Sequence, residues 1–258
     1  MLNFNKFLPY FLVKRLWGDR KKYGSTPFRN DSDWSTWQKL YVQFNEKNQN
    51  RGVGFFVNKQ GYKIAAKVNF RDKSLLEFGP GKLLHSKYWS DKPKKFIIVD
   101  VHAEMANMAE RVLIKQKVNY KKIIVKRNEK LKIPNKSVDL VSTFFALEHI
   151  ENLDEHLRTI KKVLRPNGIL FGAIPLEGGL AWGTGRYFTT RKWFKKKTLI
   201  DPDKIICWEH PNFASKIISE LDKNFKKVEI CYWPFGKLFP SKNFNLVCSF
   251  IYRNVKNP

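Results

Sequence analysis

Short apolar runs alternate with amphipathic stretches through the middle of the chain, from about residue 75 to residue 175. The apolar runs predict buried strands at 75–78, 96–100, 123–125, 138–145 and 169–174. The stretches 103–117 and 153–164 carry apolar residues three and four positions apart, as the buried side of a helix does. Because strands and helices alternate, we expect an α/β fold with a mostly parallel sheet and helices on both faces.

The remaining elements are less regular. They comprise predicted helices at 32–45 (with a cap at Ser32), 62–70, 82–88 and 213–221, a loop or hairpin at 52–61, and two closing strands at 227–232 and 246–253. The segment 176–208 is glycine-rich and then basic, without a clear period, which indicates an insertion or a mobile flap after the fifth strand. We therefore expect an N-terminal helical or lid extension at 1–70 and a main domain at 71–258 that contains this insertion.

The first strand ends in a turn that contains two glycines. Glu77 lies near the end of the strand, and Gly79, Pro80 and Gly81 follow it. Glycine lets a ligand approach the main chain, and a turn into a helix exposes unpaired backbone N–H groups. A dinucleotide fingerprint would need a third glycine at Leu84, whereas a carboxylate at Glu77 can face the amino group of a bound methionine. This Glu-x-Gly-x-Gly sequence resembles the first motif of class I S-adenosylmethionine-dependent methyltransferases.

The second strand ends at Asp100, about one strand–helix unit after the glycines. An acidic side chain at this place can accept hydrogen bonds from both hydroxyls of a ribose. The same residue can also cap the helix that begins near Ala103. Asp100 thus supports a nucleoside ligand without selecting which one.

The stretch 131–175 carries the most specific motifs of the chain. Its pieces LKIPNKSVD, LEH and LRPNG resemble, in the same order, those of small-molecule methyltransferases of the type 11 and type 12 kind. EGG at 177–179 and EHPN at 209–212 are similar, more loosely, to members associated with surface-polysaccharide and other glycan modification. The resemblance implies a Rossmann-like seven-stranded sheet, S-adenosyl-L-methionine as cofactor, and cofactor contacts from Glu77, Gly79, Pro80, Gly81, Asp100, Val101, Asn128 and Phe144. Arg127 stands where the family often has an acidic residue after the third strand, and arginine cannot accept a hydrogen bond, so Asn128 or a backbone carbonyl would substitute.

Methyl transfer to a hydroxyl needs alignment and a base. We expect the catalytic candidates to be His149, His210 and Glu148, which lie near the carboxyl ends of the strands. Histidine suits this work because its pKa lies near neutrality. The alternative is that Glu148 and His149 cap or orient the helix that begins near Asn152. The other three histidines are predicted to be surface or packing residues: His85, His102 and His156.

Several site classes are excluded or disfavoured. The three cysteines are far apart, which argues against a disulfide scaffold or a zinc site and favours a reducing, cytoplasmic compartment; we expect no metal. DNA amino-methyltransferases carry an Asn/Asp-Pro-Pro-aromatic run where this chain has STFF at 142–145, and no cysteine follows a proline as in the cytosine-carbon enzymes.

The net charge of +26 favours anionic partners such as nucleic acid, an anionic membrane surface or phosphorylated substrates. A lysine-rich composition with solvated faces explains it equally well. The aromatic and basic N-terminal segment, up to about residue 24, is typical of a helix on an anionic membrane, at the inner face, or of a lid over the domain. No apolar run approaches the ~20 residues that span a bilayer.

We therefore expect an S-adenosylmethionine-dependent methyltransferase that acts on a small molecule or a glycan, with surface-polysaccharide and lipid-linked acceptors among the candidates. The alternatives are an RNA methyltransferase, since nucleic acid is not excluded, and a non-catalytic module whose nucleoside pocket accompanies a polyanion-binding surface. These alternatives differ in whether methyl transfer occurs and to which acceptor.

Overall fold

The computed structural model describes residues 8–44, 52–126, 133–236 and 238–255. Within them lies a seven-stranded sheet in the order β3-β2-β1-β4-β5-β7-β6. Its strands are β1 Ser74–Phe78, β2 Lys95–Asp100, β3 Tyr120–Ile124, β4 Val138–Phe144, β5 Leu164–Pro175, β6 Lys226–Trp233 and β7 Val247–Arg253. Strands β1 to β5 pair in parallel, and β7 lies antiparallel between β5 and β6. The predicted mostly parallel sheet is confirmed.

The described residues also form ten α-helices. They are α1 Tyr10–Trp17, α2 Arg20–Tyr23, α3 Ser32–Phe44, α4 Gly52–Tyr62, α5 Ala103–Lys115, α6 Leu153–Val163, α7 Leu180–Phe188, α8 Thr190–Lys197, α9 Pro202–Glu209 and α10 Ala214–Asn224. One face of the sheet packs against α6 and α10, and the other packs against α4 and α5. The order of the strands reverses between β1 and β4, and in open α/β sheets ligands bind at the carboxyl ends of the strands beside such a point.

Three predicted elements differ from the structure. The predicted loop or hairpin at 52–61 is helix α4, because Val57 buries its side chain among the apolar residues on one face of the sheet. A Cβ atom at Gly61 would lie 2.6 Å from Ala173 Cβ, so glycine lets α4 approach the sheet closely. The predicted helix at 62–70 is a 3₁₀ helix, Lys63–Lys67, and the predicted cap at Ser32 is instead Asp31, whose Oδ1 accepts from Trp34 N at 3.0 Å.

Helices α1, α2 and α3 pack against the helices that follow β5. The insertion predicted at 176–208 has the regular helices α7 and α8 and most of α9, although its sequence shows no clear period. Helix α1 packs against α7 and α9, and both α2 and α3 pack against α9. None of the described helices has the length and apolar character needed to cross a membrane.

Candidate active site

Glu77 lies fully buried near the carboxyl end of β1. Its Oε2 lies 2.7 Å from His85 Nε2, and Trp89 Nε1 lies 3.0 Å from His85 Nδ1. Because an indole N–H can only donate, His85 Nδ1 accepts from Trp89 and Nε2 carries the hydrogen that goes to Glu77. The second oxygen, Glu77 Oε1, is buried and has no hydrogen-bond partner within the protein. This site therefore presents one unpaired carboxylate oxygen, while the other is held in place.

The glycine turn after β1 has an unusual continuation. Gly79 and Gly81 adopt positive φ angles of 64° and 52°, which glycine tolerates best. The sequence predicts a helix at 82–88, but the structure has only a short 3₁₀ helix, Leu84–Tyr88. This short element directs His85 back toward Glu77. His85 is therefore buried and hydrogen-bonded, and the prediction that it is a surface or packing residue is wrong.

Asp100 ends β2 and is 7 % exposed. Burial raises the pKa of this carboxyl. Its Oδ1 accepts a hydrogen bond from His102 N at 2.8 Å, so one oxygen fixes the turn before α5 and Oδ2 is not used in that bond. Val101 follows it and is 52 % exposed. Asn128, predicted to contact the adenine, lies outside the described residues.

Aromatic rings connect the two halves of the site. Phe144, at the end of β4, stacks on His85 with ring centroids 4.5 Å apart. Tyr62, from the end of α4, lies 5.3 Å from Phe144. Burial raises the pKa of Tyr62, and the nearby carboxyl groups of Glu77 and Glu148 raise it further. Sequence reasoning missed Tyr62, because this residue comes from the N-terminal extension and no motif marks it.

The catalytic candidates from two distant parts of the sequence meet in the structure. Among the described residues, Glu148, His149 and His210 each place a ligand-type atom within 4.8 Å of the other two. The rings of His149 and His210 lie edge to face at 4.7 Å. Glu148 is 2 % exposed, its Oε2 has no partner, and burial raises its pKa to about 7.

A backbone carbonyl sets the tautomer of His149. Its Nδ1 lies 2.7 Å from the carbonyl oxygen of Glu209, which only accepts, so Nδ1 carries a hydrogen. His149 Nε2 then has a free lone pair in the neutral ring and lies 3.9 Å from Glu148 Oε1. Trp37, from α3, holds the Glu209 side chain through a 2.6 Å bond to Oε2. A residue of the N-terminal extension thus supports the residue that orients His149.

A buried ion pair lies behind His210. Glu177 follows β5 and is fully buried, with Arg186 Nη2 at 2.5 Å and Trp182 Nε1 at 2.8 Å from its Oε2. Burial alone would raise the pKa of Glu177, but the charge of Arg186 and the bond to His210 outweigh it and hold the pKa at about 2. Burial and the Arg186 charge lower the pKa of His210 to about 3, which keeps this imidazole neutral.

Asn212, which lies just before α10, holds the segment before α6 through two hydrogen bonds. Asn212 Nδ2 donates to the carbonyl oxygens of Leu147 at 3.2 Å and Ile150 at 2.5 Å. The cap of α6 is Asn152, whose side chain accepts from Glu155 N at 3.3 Å. Glu148 and His149 therefore do not cap this helix, which is the capping half of the alternative interpretation.

The comparisons with known proteins agree with this geometry. A family model described as a methyltransferase domain matches residues 76–172. A search of curated proteins finds no match to the sequence. Solved structures share the fold at low identity. The N-methyltransferase NodS from Bradyrhizobium japonicum WM9, solved with S-adenosyl-l-homocysteine, has 14 % identity and a TM-score of 0.58, over 88 % of this chain and 100 % of that one.

Two further structures show how widely the fold is used. An S-adenosylmethionine-dependent methyltransferase from Mesorhizobium loti has 15 % identity and a TM-score of 0.50, over 74 % of this chain and 95 % of that one. The [4+2]-cyclase SpnF has 13 % identity and a TM-score of 0.57, over 90 % of this chain and 99 % of that one. Since one neighbour is named for a cyclisation, these likenesses show the fold, and the family model carries the assignment. By that model, residues 76–172 match a methyltransferase domain, and the sheet around them has the fold of S-adenosylmethionine-dependent methyltransferases.

Proposed function

We propose that this methyltransferase acts on a hydroxyl group of a small molecule or glycan, held where Glu148, His149 and His210 meet. The observation that carries the proposal is the free lone pair of His149 Nε2, fixed by the bond from Nδ1 to the Glu209 carbonyl. Tyr62 packs against Phe144 and Phe145, which lie just before Glu148 in the chain. Phe144 also stacks on His85, the partner of Glu77, so the two halves of the site are neighbours.

The residues present fit the cofactor. Glu77 Oε1, buried and unpaired, would accept a hydrogen bond from the amino group of the methionine part. The backbone of Gly79, Pro80 and Gly81 would lie against the same end, and Asp100 would take the ribose hydroxyls. The remaining predicted contacts, beside the adenosine and the methionine chain, are Val101, Asn128 and Phe144. When bound, S-adenosylmethionine supplies a methyl group on a positively charged sulfur, which an acceptor oxygen attacks in line.

The chain's own residues would then align the acceptor and move its proton. His149 Nε2 would accept the hydroxyl proton, because Nδ1 is committed to Glu209. His210 is neutral and is positioned by Glu177 and Arg186. Glu148 lies within reach of His149 and would stabilise the imidazolium that forms.

The acceptor class is supported by the surroundings of the cluster. Trp182 lies at its edge, bonded to Glu177, and an indole ring suits stacking against a sugar. Exposed Tyr10 and Phe11 of α1 lie in the same helix as Lys14 and Arg15, which fits an anionic membrane surface and a lipid-linked acceptor in the cytoplasm.

RNA is the second candidate acceptor. Helix α8 ends in three consecutive lysines, Lys195 to Lys197, and Phe188 lies exposed just before it. Basic side chains beside an exposed ring can bind a phosphate backbone and stack a base. The net charge of +26 adds a general attraction for polyanions.

The test is a methyl-transfer assay with labelled S-adenosylmethionine and three separate acceptor pools: free glycans, lipid-linked saccharides and RNA. We expect label in a saccharide pool, and no label with His149→Ala although S-adenosylhomocysteine still binds. Label in the RNA pool alone would replace the glycan proposal. Cofactor binding without transfer to any pool would indicate a non-catalytic module.

The contact through which the N-terminal extension supports His149 can be tested separately: Trp37 binds Glu209, and Glu209 orients His149. Trp37→Phe removes the bond to Glu209 but keeps most of the apolar ring, so we expect kcat to fall while cofactor affinity stays unchanged. The matched control is Trp193→Phe, in the same aromatic cluster, which should leave kcat as it is. Equal kcat in both variants would refute this positioning role.

A further inference from the structure

We propose that Glu148, His149 and His210 bind a divalent transition-metal ion, and that the acceptor hydroxyl binds to the same ion. The inference rests on the proposed function, because it concerns the acceptor end of that site. It also departs from the sequence, which predicts no metal because its cysteines are scattered and no motif joins residues 148 and 210.

The three side chains offer a donor set that such ions prefer. One ligand atom from each residue lies within 4.8 Å of the other two, so small shifts would bring all three around one centre. Two imidazoles and one carboxylate with open positions form a set typical of first-row transition metals. Glu148 Oε2 is buried without a partner, which is costly unless a cation or a donor completes it.

Both histidines carry the support that metal-bound histidines usually have. A ligating imidazole donates its other N–H to a carbonyl or a carboxylate, which fixes the ring and its tautomer. His149 donates Nδ1–H to the Glu209 carbonyl at 2.7 Å. His210 Nδ1 lies 3.0 Å from Glu177 Oε2 and 2.8 Å from Arg186 Nη2, and arginine can only donate. When the Arg186 N–H groups go to Glu177 Oε1 and Oε2, the Nδ1 hydrogen can go to Glu177 and leave Nε2 for the ion.

The charges around the cluster also accommodate a cation. Three carboxylates, of Glu148, Glu177 and Glu209, contact the histidines or belong to the cluster. Two arginines lie on the same side: Arg186, which pairs with Glu177, and Arg20, which donates to the His210 carbonyl at 2.7 Å. The three acidic side chains outnumber the two arginines, so a bound cation would face more carboxyl groups than guanidinium groups.

The ion would change the roles of the residues in the transfer. His149 would act as a ligand, and the bound acceptor hydroxyl would lose its proton to water because the ion lowers its pKa. The resulting alkoxide oxygen forms a bond to the methyl carbon as the carbon–sulfur bond breaks, and the electron pair stays on sulfur. The products are the methyl ether, S-adenosylhomocysteine and one released proton.

The test measures metal binding directly and needs no acceptor. The full chain, stripped with a chelator, is titrated by calorimetry with Mn²⁺ and separately with Zn²⁺. We expect wild type to bind a single ion, and Glu148→Gln, His149→Ala and His210→Ala each to weaken binding at least tenfold, as losing even an outer partner does. The matched control is His102→Asn, an exposed histidine outside the cluster, which should bind the ion as wild type does. S-adenosylhomocysteine titrations show that each variant is folded.

Two results would overturn the inference: no binding of either ion by wild type, or equal binding by wild type and all three cluster variants. If stripped protein also transfers methyl groups at the full rate with a chelator present, the ion has no role and the proposed function stands on His149 as base. If the ion binds as expected but no hydroxyl acceptor is methylated, the metal site stands and the proposed function fails.

Discussion

Replacing Glu77 by glutamine isolates the contact between the protein and the amino group of the cofactor. The amide oxygen of Glu77→Gln can still accept from His85, so the inner hydrogen bond survives. The oxygen that is now unpaired is replaced by an NH₂ group, which donates and therefore faces the ammonium unfavourably. A hydrogen bond to a charged group contributes about 1.5–3 kcal/mol, which corresponds to a loss of about tenfold to 150-fold in affinity.

The assay is calorimetric titration with two ligands. S-adenosylhomocysteine carries the amino-acid end, whereas methylthioadenosine has the same nucleoside without it. We expect Glu77→Gln to weaken only the first ligand, and Asp100→Asn to weaken both, because both ligands carry the ribose. Equal loss for the two ligands in Glu77→Gln, with an unchanged Tm, would refute the assignment of Glu77 to the amino group.

Further expectations concern the support of this site and the packing of the sheet. Trp89→Phe removes the N–H that sets the tautomer of His85, so affinity for S-adenosylhomocysteine should fall roughly twofold to tenfold by calorimetry, as expected for losing about 0.5–1.5 kcal/mol. Unchanged affinity would contradict the idea that Trp89 positions Glu77 through His85. Gly172→Ala would place Cβ 1.8 Å from the Thr143 carbonyl oxygen, so it should cost at least the ~3 kcal/mol of severe overpacking and lower Tm by more than about 6 °C. Gly185→Ala is the matched control, since nothing lies within 4 Å of its Cβ, and it should keep or raise Tm; a similar loss in both would contradict the packing argument.

The sheet could be predicted from the sequence because buried parallel strands appear as short apolar runs between amphipathic helices. The Glu-x-Gly-x-Gly turn and Asp100 could be placed for the same reason, since both follow such runs directly. Helix α4 could not, because the stretch GVGFFVNKQG contains three glycines and its side chains pack against the sheet in a way no local pattern shows. Tertiary packing decided its structure against its propensity.

The site was predictable only in part. The sequence placed Glu148, His149 and His210 near the carboxyl ends of the strands, but their convergence depends on α9 and Asn212, which lie some sixty residues away along the chain. His85 was missed because a five-residue 3₁₀ helix replaces the predicted helix and turns this residue inward. Such contacts depend on the paths that the loops take back to the sheet, and no periodicity in the sequence predicts those paths.

The most direct measurement of the central claim is a crystal structure of the protein with S-adenosylhomocysteine. We expect the ligand's amino nitrogen within hydrogen-bond distance of Glu77 Oε1, its ribose hydroxyls at Asp100, and its sulfur facing the cluster of Glu148, His149 and His210. A ligand bound elsewhere, or one whose sulfur faces away from this cluster, would contradict the account.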